Sequence, residues 1–386
     1  MNKIYLLTAA FAVMASLSGC SDTELASIDT VQEKTPIGFH TVGSQMESRA
    51  TIINNGEDLK STTFNVYAFN RNDNGTDGER FMGEDNEAGT GGVNISYNGG
   101  KWSYTNQADL KYWPTGSLNF YAVSPVPKSD DGPIFYSWQI SQTTKKINYM
   151  SYDEYGTEAY PYTDVMYAIA PNKSKADGTV QLQFKHITSQ IVFKAKKQPI
   201  ENLNVEIKSI KLHNFETSGV FTIPTDRPDL QPVQSDWIYQ SLSYTCGLTV
   251  INKGDNEPKI TIGTEATDIS TRTPMFLIPQ TLTKWDTSHN IETANAKKES
   301  YLSIECKISI GDSYKLGSKS GYGTLYVPFE ADWKPGKRYV YTLIFGGGYD
   351  EHGQPILTPI NFKPSVEDWG NVDDNTSTDK DIPLYQ

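Results

Sequence analysis

Phe64-Asn65-Val66-Tyr67-Ala68-Phe69 is a strand-length run rich in aromatic and β-branched residues, and the turn signal Asn74-Gly75 follows it closely. Runs of the same kind recur along the chain. The first half holds Ile37–Val42, Trp102–Tyr104, Leu118–Val123, Val165–Ala170 and Val180–Phe184. The second half holds Ile187–Ala195, Val205–Leu212, Gly219–Ile223, Leu248–Ile251, Ile260–Ile262, Met275–Ile278, Leu302–Ile310, Thr324–Val327 and Tyr339–Phe345. Between them lie Asn98-Gly99-Gly100, Asp177-Gly178, Pro335-Gly336 and Gly346-Gly347-Gly348. No window shows a capped period of 3.6 residues, and no repeat of 20–50 residues is visible. The chain therefore reads as all-β, built from β-sandwiches. Its 386 residues exceed what one core usually supports, so two domains are expected, divided near residue 180 in the polar stretch 171–179.

The balance of charge excludes several function classes. A net charge of −12 argues against a nucleic-acid partner, which would show a basic face. The low mean hydropathy excludes a polytopic membrane protein. Three cysteines without a CxxC pair do not make a cysteine-based metal or redox centre.

The first twenty residues read as an address. Lys3 precedes an apolar run from Ile4 to Leu17, too short to span a bilayer but proportioned as a signal-peptide core. It ends in Leu17-Ser18-Gly19-Cys20, which has the form of a lipobox, so residues 1–19 would be removed and the Cys20 thiol would carry a lipid. A plain signal peptide with a chance cysteine is the alternative. Acylation would hold the mature chain on a membrane without a transmembrane helix. Residues 20–36 are polar and acidic and read as a tether.

Motifs that carry chemistry are scarce. HExxH, GxSxG and the phosphate-binding glycine loops are absent, and Gly317–Gly321 reads as a glycine-rich hairpin turn. The five histidines, at 40, 186, 213, 289 and 352, stand singly, and His186 reads as a satisfied core or interface residue. Asn70–Gly75 places oxygen side chains at calcium-loop positions 1, 3 and 5. Position 12 is Phe81, however, so a hairpin tip is the simpler reading and no metal is assigned. Tyr149, Tyr152, Tyr155, Tyr160 and Tyr162 crowd one acidic segment. Such amphipathic rings suit either a platform for a glycan or partner protein or a loop packed on its own domain. Cys246 and Cys306 could pair in an oxidising envelope or stand as separate buried thiols.

Several segments together resemble the fimbrillin family of Bacteroidota, the lipoprotein-derived pilins. They include Pro36-Ile37-Gly38-Phe39, Phe64–Phe69, Tyr112-Trp113-Pro114 leading to Leu118–Ala122, Phe184–Phe193 and Met275–Gln280. The closing pieces are Trp333–Tyr339, Gly346–Asp350 and Ser365–Trp369. The resemblance implies two β-sandwich domains of the fimbrillin type, at 37–180 and 181–369. It implies a structural subunit, stalk or tip, of a fimbria attached to the outer membrane and supporting adhesion. No cofactor and no catalytic residue are implied.

Family maturation proceeds by lipidation, cleavage by an Arg-directed protease and strand exchange between subunits. Carried onto this sequence, cleavage falls at Arg49-Ala50 and removes a first strand whose Ile37, Phe39 and Thr41 share a face. The vacated groove would accept a strand from another subunit by β-augmentation. The tail 370–386 is the donor candidate through Ile382 and Leu384, although Pro383 cannot donate a ladder hydrogen bond. Ile356–Phe362 is an alternative that the folded domain could claim. The competing reading is a permanently lipidated surface module that binds a glycan or host protein through Tyr149–Tyr162.

Overall fold

In the computed structural model the strand-forming runs pair into layered sheets. The structure describes residues 34–42, 59–127, 136–151, 163–240, 247–269, 275–346, 348–349, 355–357 and 361–368. In the N-terminal half the strands are β1 (Phe39–Val42), β2 (Thr63–Arg71), β3 (Asp77–Met82), β4 (Val93–Asn98) and β5 (Lys101–Tyr104). They continue as β6 (Leu118–Ser124), β7 (Tyr136–Ile140), β8 (Lys145–Met150), β9 (Met166–Lys173) and β10 (Val180–Gln183).

The central sheet runs in the order Lys185–His186, β9, β6, β2, β4, β5, with β3 paired to β2. It is buried on both faces. From β2, Phe64, Val66 and Ala68 enter one core, while Tyr67 and Phe69 enter another. Two buried faces explain why β2 and β6 show no polar alternation. The first core lies against the two-stranded pair β1–β10. The second lies against a four-stranded sheet ordered Trp237–Tyr239, Ser218–Thr222, β8, β7, which takes strands from either side of residue 180.

The remaining strands form a sandwich of their own. Ser189–Lys197 runs parallel to Lys337–Phe345, which pairs antiparallel with Asn361–Asp368. The facing sheet centres on Leu203–His213, Tyr301–Ile310 and Gly323–Pro328. Ile191, Phe193, Ile207, Ile304 and Leu343 fill the space between the two sheets. The sequence pattern predicted no helix, yet Ile291–Ala296 forms one, α1. Its Asn290 side chain accepts from Thr293 N at 2.8 Å. Six residues are too few to display a 3.6 period, so only the cap could have announced it. Among the described residues no helix is long and apolar enough to cross a membrane.

Several strands escaped the sequence reading, β3, β4, β7 and β8 among them. β3 (DGERFM) exposes Glu79, while the Asp77 side chain is buried beside Lys145. The hairpin between β2 and β3 is closed by Asn70–Gly75 as expected of a turn, with Gly75 at φ +89°. Asn74 Oδ1 accepts from Thr76 N and Thr76 Oγ1, so that oxygen is committed within the turn.

Candidate functional site

The first strand is built into a core that later segments complete. Ile37 is 1% exposed and Phe39 5%. The Phe39 ring meets Phe64, Tyr104 and Phe120 edge-on, with centroids 6.4, 5.9 and 6.0 Å away. Such packing adds to simple area burial because ring edges meet ring faces. Thr41, also buried, accepts a hydrogen bond from Trp102 Nε1 at 2.9 Å. Ile37, Phe39 and Thr41 thus point inward together, while His40 is exposed.

Among the described residues, β1 forms its ladder with β10 alone. Its pairing is parallel, with Phe39 opposite Val180, His40 opposite Gln181, Thr41 opposite Leu182 and Val42 opposite Gln183. Just before it, Gly38 O accepts from Val180 N at 2.8 Å, and Ile37 N donates to Lys111 O at 2.9 Å. Along the strand, between β1 and the β4–β5 turn, runs an open cavity of about 620 Å³ lined by Phe39, Asn98, Lys101, Trp102 and Tyr104. Burial, eased by a backbone hydrogen bond at Lys111, pushes the Tyr104 phenol up to about 12, so it stays neutral. This face is walled by the Phe39, Trp102 and Tyr104 rings, with Asn98, Lys101, Ser103 and Gln107 also in its lining.

The other residues singled out by sequence fall elsewhere. Cys20, Arg49, Ala50, Tyr152, Tyr155, Tyr160, Tyr162, Ile382 and Leu384 lie outside the described residues, as do Cys246 and His352. Tyr149 corrects the tyrosine platform. It is 3% exposed and donates its hydroxyl to Phe276 O at 3.0 Å, so it is a core residue closed to a ligand. Pairing of β8 with Ser218–Thr222 turns it inward. Residues 361–368, which take in the end of the alternative donor stretch Ile356–Phe362, pair with Lys337–Phe345 inside the fold. Cys306 is a free, buried thiol.

Three of the histidines have local partners. His186 Nδ1 lies 2.8 Å from the buried Asp164 carboxylate. His213 Nε2 meets Ser303 Oγ at 2.7 Å, and His289 Nδ1 meets Glu299 at 2.9 Å. Among the described residues no three metal-ligating side chains gather. Trp102 is the site residue that sequence reasoning missed as such. Alternation placed it with Tyr104 on one strand face, but nothing local tied it to Thr41, 61 positions away.

These features define an all-β protein whose N-terminal strand fills a slot in a core that the rest of the chain builds. Over residues 48–369 the sequence matches the model of the fimbrillin-like family, and the chain belongs to that family. A fimbrial protein from Bacteroides vulgatus shares the fold, at 14% identity and a TM-score of 0.56 over 86% of this chain and 99% of that one. The C-terminally truncated tip fimbrial protein Mfa3 from Porphyromonas gingivalis aligns at 11% identity, over 80% of this chain and 94% of that one, with a TM-score of 0.35. No curated protein matches the sequence.

Proposed function

We propose that the chain is the precursor of a structural subunit of a cell-surface fimbria, with no enzymatic activity. It is exported, lipidated at Cys20 and carried to the outer membrane, then cut after Arg49 and assembled by strand exchange with other subunits. The domains at 37–180 and 181–369 form its body, the second lending Ser218–Thr222 and Trp237–Tyr239 to a sheet with β7 and β8 of the first. One observation supports the reading above the others: the strand N-terminal to Arg49 buries Ile37 and Phe39, and over Phe39–Val42 it pairs with β10 alone among the described residues. Each such side chain contributes about 1.5–3 kcal/mol of burial. Its removal would bare an apolar slot beside an unpaired edge, a surface that proteins cover or pair.

The test is the N-terminus and intact mass of the protein taken from its native cell surface. The reading expects a chain that starts at Ala50 and carries no lipid, and an Arg49→Ala variant that accumulates as full-length lipidated precursor. A wild-type chain that keeps acylated Cys20 would instead mark a permanently anchored surface module.

A further inference from the structure

We propose that Lys145 and Asn119 join in an intramolecular amide bond, made by the Asp77 carboxylate that lies between them. The bond ties the central sheet to the four-stranded sheet and does not depend on how the N-terminus matures. Phe69 and Asn119 are partners across the β2–β6 ladder, and Tyr121 lies two residues further along β6. These three side chains therefore leave one face of the sheet. The Lys145 ammonium reaches that face from β8, 5.1 Å from the Phe69 ring centroid and 4.8 Å from that of Tyr121. Asn119 is the polar residue that adjoins both rings. Asp77 bridges the pair: Oδ2 contacts Lys145 Nζ, and Oδ1 accepts from Asn119 Nδ2 at 2.8 Å. Asn119 is 4% exposed and Lys145 9%, so the site is closed to bulk water that would compete with the amine.

Each role in the transfer has a group in place. Ser141 O and Gln142 O accept from the ammonium at 2.9 and 2.8 Å, and its third proton faces Asp77. The ion pair is the state before reaction. When Asp77 takes that third proton, the amine lone pair opens on the side where Asn119 lies. The lone pair attacks Asn119 Cγ, and a new C–N bond forms. The carbonyl electron pair moves onto Oδ1, which already accepts from the Asn172 backbone N–H at 2.9 Å, so the developing charge meets a fixed donor. Asp77 then passes its proton to Nδ2, the C–Nδ2 bond breaks, and the nitrogen leaves with the bonding pair. The surplus proton on the new amide nitrogen departs with it, through the same carboxylate. One ammonium ion is released, Asp77 is restored, and nothing is oxidised or reduced. Asp77 is the weaker electrophile of the two, because an attacking amine would have to approach a carboxylate that is already negative.

Peptide mapping by mass spectrometry, on the protein taken from its native cell surface, tests the bond. Trypsin should release one branched peptide that joins the Asn119 and Lys145 segments and is lighter than their sum by one ammonia. Cleavage after Lys145 should fail, because its amine is no longer free. Lys145→Arg keeps a cation beside Asp77 and should give linear peptides only. In freshly produced full-length chain, Asp77→Asn should slow the appearance of the branched peptide about a hundredfold, the lower end of what a positioned acid–base group supplies. Wild-type surface protein that yields only the two linear peptides would overturn the proposal, whether or not the Asp77 variant folds. A branch from Lys145 to Asp77, lighter by one water, would overturn it as well, by making Asp77 the electrophile.

Discussion

The Lys145 ammonium, at the start of β8, lies against the Asp77 carboxylate, at the start of β3, and both side chains are buried. The pair joins the central sheet to the four-stranded sheet. Tyr121 and Asn119 donate to the same carboxylate at 2.9 and 2.8 Å, and Lys145 also donates to Ser141 O and Gln142 O. The ammonium sits over the Tyr121 and Phe69 rings, 4.8 and 5.1 Å from their centroids. Every proton of the ammonium therefore has an acceptor, the condition for keeping a charge out of water.

Removing one partner should cost more than removing both. Asp77→Ala leaves a buried cation uncompensated and is expected to lose about 3–5 kcal/mol. The double variant Asp77→Ala/Lys145→Met should recover part of that loss, because no lone charge remains. Urea unfolding of the three proteins measures the coupling; strictly additive losses would mean that the two residues act independently.

The first strand should be held chiefly by its inward side chains. Phe39→Ala in the full-length precursor is expected to cost about 3–5 kcal/mol, since it empties the space between Phe64, Tyr104 and Phe120. His40→Ala, exposed on the same strand, should stay within about 0.5 kcal/mol. Equal midpoints in denaturant for the two variants would contradict the inward alternation.

His213 should make stability depend on pH. Burial, helped by the Lys211 cation, lowers its imidazole to about 4, below the ordinary 6.5. The ring stacks on Tyr301 at 4.6 Å and stays neutral in the folded state. Below pH 6.5 the unfolded chain takes up a proton that the folded one refuses, so this contribution is full above 6.5 and fades as pH falls toward 4. Replacement by Gln should flatten the change in urea midpoint between pH 7 and pH 5. An unchanged slope would assign the dependence to other groups.

Cys306 should be chemically silent while the protein is folded. Burial between Leu203–His213 and Gly323–Pro328 pushes its thiol well above the ordinary range, leaving almost no thiolate. Peptide mapping after iodoacetamide at pH 8 should find Cys306 unmodified in native protein and modified in urea. Rapid labelling of the native form would place the thiol within reach of solvent.

Much of the strand content was legible because strands announce themselves locally. Phe64–Phe69 became β2 and Leu118–Val123 became β6, each within a residue or two at its ends. The inward alternation of Ile37, Phe39 and Thr41 was readable for the same reason: side chains on a strand change face at every residue. Strands such as β3 were less legible. Asp77 looks like a turn residue until Lys145, Tyr121 and Asn119 arrive from β8 and β6 to satisfy it.

Residue order alone thus determined the all-β class, the tight turn at Asn74-Gly75 and which side of the first strand is apolar. Each depends on one residue and its near neighbours. Tertiary structure decided which strands meet. It paired β1 with Val180–Gln183 in parallel, brought Trp102 to Thr41 and turned Tyr149 into the core behind Phe276. An amphipathic ring or an unpaired edge is compatible with several partners, and only the closing of long loops and the burial of a shared core select among them.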